Sequence, residues 1–187
     1  MNTGVNTHVD QADYSDAMRS VEIKHELRDP ELAIAGLRKL RAINVGTTFQ
    51  IDSCYRLSSG RLIKRVIDGE PTEWIAYHRD DSPQACVCRF TVYSENEAHT
   101  RFGTRDMPVW TRVRKRRELW IAGPVRIHVD MVDRLGWFIE FEALISPRQN
   151  AGQCRRLVES VRNKMRIALG EAISVSYSDL AIASVAQ

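Results

Sequence analysis

Three stretches near the middle of the chain sort charged side chains from apolar ones. In Phe138-Ile-Glu-Phe-Glu142, alternation along a strand puts Glu140 and Glu142 on one face and Ile139 and Phe141 on the other. Val125-Arg-Ile-His-Val-Asp130 does the same, with Arg126, His128 and Asp130 opposite Ile127 and Val129, and Val113 to Arg117 sets Lys115 beside Arg117. Ser20-Val-Glu-Ile-Lys24 adds Glu22 and Lys24, and the strand-like runs from Arg61 and from Thr72 add Arg61, Arg65 and Arg79. Carboxylates gathered in this way would hold a hard divalent cation such as Mg²⁺ or Mn²⁺. Lysines and arginines would hold phosphates, arginine by a two-pronged grip. A half-exposed sheet turns such faces to water. A closed sheet turns them inward, where metal and cations together suit a metal-bound triphosphate.

The elements that must position these residues follow from local signals. A polar leader is expected over 1–17 and a single domain over 18–187. After the strand at Ser20–Lys24, Asp29 caps a helix with Pro30 in its first turn and Leu32, Ala33, Leu37 and Leu40 as its apolar stripe. Gly46 is expected to end that region. Strands are predicted at Thr47–Tyr55, Arg61–Val66, Thr72–Arg79 and Ala85–Tyr93, separated by turns at Ser58-Ser-Gly60, Asp68-Gly69 and Asp80-Asp-Ser-Pro83. Glu95–Pro108 reads as a loop or a short helix. After Pro147, Cys154, Leu157, Val158, Val161, Met165 and Leu169 mark one side of a long helix that Gly170 can stop. The tail around Tyr177–Leu180 reads as a small appended element. Seven or eight mostly antiparallel strands with a few helices make an α+β protein, and a barrel would remove the open sheet edges.

Composition narrows the class. The 187 residues are 43% hydrophobic and 27% charged, as in a globular domain with a real core. The net charge of +3 is too small to indicate nucleic-acid binding. No apolar run nears the roughly 20 residues of a membrane span. The four cysteines, Cys54, Cys86, Cys88 and Cys154, form no disulfide framework, which points to a reducing, cytoplasmic location. Cys86-Val-Cys88 lacks a second pair at zinc spacing and reads as barrel wall. Trp74, Trp110, Trp120 and Trp137 read as core or rim residues, one of which could stack on a base.

Val21-Glu-Ile-Lys24, Asp52 with Tyr55, Gly60-Arg-Leu62 with Arg65, Tyr77-His-Arg79, Lys115-Arg-Arg117, Arg126-Ile-His-Val-Asp130, Leu135-Gly136 and Glu140-Phe-Glu142 occur in this order. In this series the chain resembles the CYTH superfamily of triphosphate tunnel metalloenzymes, over roughly residues 20 to 180. It is most similar to the class IV adenylyl cyclase-like branch, and the Ser176-Tyr-Ser-Asp-Leu180 tail agrees. The resemblance implies a closed antiparallel eight-stranded β tunnel with flanking helices. It implies Mg²⁺ or Mn²⁺ held by Glu22, Glu140 and Glu142, with Asp130 as a further candidate. It implies triphosphate contacts from Lys24, Arg61, Arg65, Arg79, Lys115 and Arg117, with Arg126 beside them. The implied activity is that of an adenylyl cyclase acting on ATP, with triphosphate hydrolysis and non-catalytic triphosphate binding as alternatives. Lys24, Arg117, His128 and Asp130 are the catalytic candidates; His128 is equally a structural hydrogen-bonding group. A homodimer is compatible with the resemblance, and neither nucleic acid nor membrane is implied as a partner.

The chain departs from the family pattern at two places. Ser20 stands where the opening Glu-x-Glu-x-Lys motif has its first glutamate, which leaves that metal position without a carboxylate. Ile63 replaces an inward lysine, with Lys64 beside it on the opposite face, so a one-residue bulge is needed to restore the contact. Cys86 and Cys88 also replace the serine and tyrosine common in the family.

Overall fold

A computed structural model describes residues 17–105 and 107–185. Of the leader expected at 1–17, all but Ala17 lies outside the described residues. In order, the elements are β1 (Met18–Leu27), α1 (Pro30–Lys39), β2 (Ile43–Arg56), β3 (Arg61–Ile67), β4 (Glu73–Arg79), β5 (Cys86–Tyr93), α2 (Glu95–Phe102), β6 (Thr111–Ala122), β7 (Val125–Val132), β8 (Gly136–Leu144), α3 (Ala151–Lys164), β9 (Leu169–Ala172) and α4 (Tyr177–Val185). Every ladder is antiparallel, in the order β5-β4-β3-β2-β6-β7-β8-β1-β9, and a further β1–β5 pairing closes the first eight strands into a barrel. Closure pairs β5 to β1 only from Met18 to Glu22. Beyond that point β9 takes the same edge of β1, pairing Ala172 with His25 and Leu169 with Leu27.

Alternation then sets the two faces. Val21, Ile23, Ile127, Val129, Ile139 and Phe141 point outward and are buried against α1 and α3, joined by Ala33, Leu37, Cys154 and Val158. A second cluster, Tyr55, Leu62, Trp74, Ala76, Ala98 and Phe102, lies between the outer barrel wall and α2. These two apolar clusters lie outside the barrel, under its helices. The interior carries the charged faces, and a third cluster, Cys54, Val113, Val132, Phe138 and Tyr177, packs with Leu180 and Ala181 of α4.

Several boundaries differ from the sequence expectation. Leu32 lies at the margin of α1's buried face and is 38% exposed; Ala33 and Leu37 are the residues that pack. Gly46 does not end the helical region: β2 begins at Ile43, and the register shift between Asn44 and Gly46 is a bulge in which Gly46 has φ +149°. The stretch after Tyr93 is a helix, because Ser94 and Glu97 form a capping box. α3 ends at Lys164 rather than at Gly170, and Leu169 to Ala172 is a ninth strand. Gly170 belongs to that strand because a Cβ there would lie 2.8 Å from Glu26 Cβ, so only glycine lets β9 approach β1. No bulge moves Lys64 inward: β3 runs in register with β2 and β4, and Lys64 pairs with Glu95 of α2 at 2.7 Å while Ile63 lines the interior.

Candidate active site

The barrel encloses a cavity of about 820 Å³. All seven predicted phosphate-binding cations, Lys24, Arg61, Arg65, Arg79, Lys115, Arg117 and Arg126, line it, as do Glu22, Glu140, Glu142 and His128. Away from α4 the wall turns apolar, with Met18, Ile67, Ile75, Val92, Leu119 and Leu144. None of the four tryptophans lines the cavity. Trp74 and Trp120 are buried on the outer wall, while Trp110 lies under Arg56 and Trp137 under Arg116.

Asp52 occupies the centre of the basic wall. The alternation of β2 places Gln50, Asp52 and Cys54 inward, and Asp52 accepts two bonds from Arg65 at 2.8 and 2.9 Å and one from Lys115 Nζ at 2.5 Å. Burial alone would raise its pKa; Lys115 and Arg65 more than reverse that and hold it below the ordinary carboxylate value. Lys115 is pushed down to about 8 by burial, with Asp52 opposing the shift. Lys24 is lowered by burial too; its Nζ donates to the Val175 carbonyl at 3.4 Å and stands 4.3 Å over the Tyr177 ring.

Asp130, fully enclosed, grips Arg117 at 2.7 and 2.6 Å and also accepts from the Tyr177 hydroxyl at 2.8 Å. Both of its oxygens are thereby engaged. Arg117 also reaches Glu140 at 3.3 Å, and His128 Nδ1 lies 3.5 Å from the same carboxylate. Burial and the nearby Arg117 lower the His128 pKa, so its imidazole is neutral near pH 7. Arg79 stands 2.9 Å from Glu22 and donates to Cys86 Sγ at 3.1 Å and to the carbonyls of Ser174 and Ser82. Arg126 sits at the rim, 3.8 Å from Glu142.

With this geometry, the chain superposes on solved tunnel-barrel proteins along most of its length. It covers 86% of its own residues and 98% of the PH1012 protein of Pyrococcus horikoshii OT3, with TM-score 0.71 and 19% identity. It matches a candidate adenylate cyclase of Vibrio parahaemolyticus with TM-score 0.67 and 17% identity over 87% of this chain and 97% of that one. The chain has the closed antiparallel barrel fold of these proteins. The Hippeastrum protein HpAC1, described as a candidate adenylyl cyclase with a dominant triphosphatase activity, shares this fold at TM-score 0.58 and 13% identity, over 90% of this chain and 96% of that one. So does a chain of the Schizosaccharomyces pombe Mediator head module, at TM-score 0.58 and 9% identity over 84% of this chain and 99% of that one. The architecture alone therefore carries no activity. No protein-family model and no curated protein matches the sequence.

The CYTH resemblance calls for a divalent metal, and the donor set can be tested against it. Glu22 and Glu142 are direct cross-strand neighbours, with Glu140 two residues along β8 on the same face. Burial, together with the nearby Glu140 and Glu142, pushes the Glu22 carboxyl up to about 8 against the opposing pull of Arg79 and Lys24. Glu140 is the ionised member of this pair, held well below the usual range because His128, Lys24 and Arg117 outweigh its burial. Three crowded carboxylates facing one cavity fit a hard cation in their chemistry. Among the described residues no three acidic, His or Cys side chains are already drawn together as a ligand cluster. The side chains are turned to arginines instead. Ser20 shares their face on β1 and is fully buried, and its hydroxyl has no partner among the described residues.

Sequence reasoning missed two contributions. Asp52 stood in the motif series, and the period-two pattern of β2 was enough to point it inward beside Arg65 and Lys115. The tail is no appendage: Tyr177 reaches Asp130, and Asp179 pairs with Arg61 at 2.5 Å. No periodicity in that short, mostly apolar helix announces either contact.

Proposed function

We propose that the tunnel binds an organic triphosphate together with a divalent cation and catalyses phosphorus–oxygen bond cleavage, with ATP cyclisation to cyclic AMP and pyrophosphate as the first reading. The observation that carries this is the convergence of seven cationic side chains with Glu22, Glu140 and Glu142 on one cavity. Arg65, Lys115 and Arg117, held in place by Asp52 and Asp130, are preorganised donors for phosphate oxygens and stabilise charge on a departing pyrophosphate. The apolar wall at Met18, Ile75 and Leu144 would receive the organic part of the substrate. Glu22, Glu140 and Glu142 would hold Mg²⁺ or Mn²⁺, which supplies Lewis acidity: it neutralises phosphate charge and makes a bound hydroxyl more acidic. Neutral His128 can accept that proton at a ring nitrogen, with Glu140 steadying the imidazolium.

A second reading, hydrolysis of a triphosphate, is favoured by Lys24. Its amine has a pKa lowered by burial and lies among Glu22, Glu140 and Asp130, where its neutral form could take a proton from water. The same hydroxyl-or-water choice separates the two activities, so the test resolves products. The protein is incubated with ATP, other nucleoside triphosphates, tripolyphosphate and thiamine triphosphate in Mg²⁺ or Mn²⁺. Cyclic AMP with pyrophosphate supports cyclisation, and orthophosphate supports hydrolysis. Neither product from any substrate between pH 7 and 10 removes the enzymatic reading.

A further inference from the structure

Within the tunnel, the two ligand sets hold each other. Arg79 stands 2.9 Å from Glu22, Arg117 stands 3.3 Å from Glu140, and Arg126 stands 3.8 Å from Glu142. Each of the three glutamates assigned to metal is thus in contact with an arginine assigned to phosphate. Two further carboxylates differ: Asp52 and Asp130 clamp cations with both oxygens.

Building on the triphosphate reading above, we propose that metal and triphosphate bind by exchange of partners. Arg79, Arg117 and Arg126 leave their glutamates for phosphate oxygens, and the released carboxylates turn to the divalent cation. A buried charge that loses its partner is strongly disfavoured. Metal alone would strand guanidinium groups, and triphosphate alone would strand carboxylates. Together they leave neither set unpaired, so each ligand raises the affinity for the other by the same factor. The pairs also keep the glutamates from gathering around a cation until an anion has drawn the arginines away.

The exchange is tested at pH 9, where Glu22 carries its charge, by titration calorimetry of the full chain with tripolyphosphate in EDTA, where no metal competes. Glu22→Gln frees Arg79 and is expected to bind about tenfold more tightly than the unaltered protein, a coupling of ordinary size. Glu70→Gln removes the same charge from the lining of the same cavity, where no Arg79 is released, and its gain should stay below about threefold, the scale of a screened charge. The Glu22→Gln gain should vanish in an Arg79→Gln background. Conversely, Arg79→Gln alone should bind Mn²⁺ about tenfold more tightly, read from the paramagnetic resonance signal of free Mn²⁺ without any triphosphate. Should Glu22→Gln fail to fold, Glu140→Gln repeats the test through the buried Arg117, with Arg117→Gln as its background. A gain no larger than that of Glu70→Gln, or one retained without Arg79, overturns the exchange and leaves the triphosphate reading in place. If the unaltered protein binds tripolyphosphate neither with nor without Mn²⁺, both fall.

Discussion

Replacing Asp52 with asparagine removes the one negative charge between Arg65 and Lys115. The carboxylate is 3% exposed and satisfies both cations through three hydrogen bonds. Breaking a buried ion pair from one side costs about 3–5 kcal/mol, because the partner charge is left uncompensated. For a chain of this size each kcal/mol lowers the melting temperature by roughly 2–4 °C, so a fall of about 6–20 °C is expected at pH 7. The sign with pH follows from the depressed folded-state pKa of Asp52. Its contribution is complete above about pH 4, the unfolded value, and is lost as pH falls through the folded one. On this account the deficit of D52N should be constant across the neutral range and shrink in acid. At the alkaline end a second effect enters. Asp52 holds the Lys115 pKa up against burial, so in the variant Lys115 sheds its proton below pH 8 and part of the deficit disappears. Tripolyphosphate should rescue D52N more than the unaltered protein, since an anion replaces the missing charge. Urea denaturation at pH 2.5, 7 and 9, with and without tripolyphosphate, measures all three effects. A loss under about 1 kcal/mol at pH 7, or one indifferent to the anion, would refute the reasoning.

Glu142→Gln should lower metal-dependent turnover on the order of 100-fold while circular dichroism stays unchanged; full activity would show that this carboxylate is not needed at the metal. Metal-free tripolyphosphate affinity should fall as pH rises through about 8, because Lys115 loses its charge there while Glu22 gains one. Lys115→Arg, which stays charged, should make that fall shallower, and an unaltered slope would count against Lys115 as a contact. Tyr177→Phe removes a 2.8 Å bond to a buried carboxylate and should cost about 1.5–3 kcal/mol in chemical denaturation; a smaller loss would mean that α4 does not brace Asp130.

The barrel was legible because period-two alternation needs no tertiary information: Glu22, Lys24, Arg117, His128, Glu140 and Glu142 all fall on the inner face. Less was legible where tertiary approach decides. Leu169 continues the apolar stripe of α3, and only its pairing to Leu27 reveals a strand. Gly170 reads locally as a helix stop, although the side chain of Glu26 is what excludes a Cβ there. Asp130 has the type and face of a metal ligand, and its commitment to Arg117 depends on an opposing strand and on Tyr177. No local pattern records that partner choice.

The split edge of β1 has a consequence for how the molecule is made. The first strand pairs with β8 along one side, and on the other it is shared between β5 and β9. Its neighbours therefore emerge from the ribosome long after it does, and pairing over such sequence separations is slow. An unfinished chain keeps the future lumen open to water, with its arginines and glutamates still hydrated. Desolvating them waits for β1 to meet both β5 and β8, and a product ending before Leu169 should still leave the β1 edge beyond Glu22 bare and prone to associate.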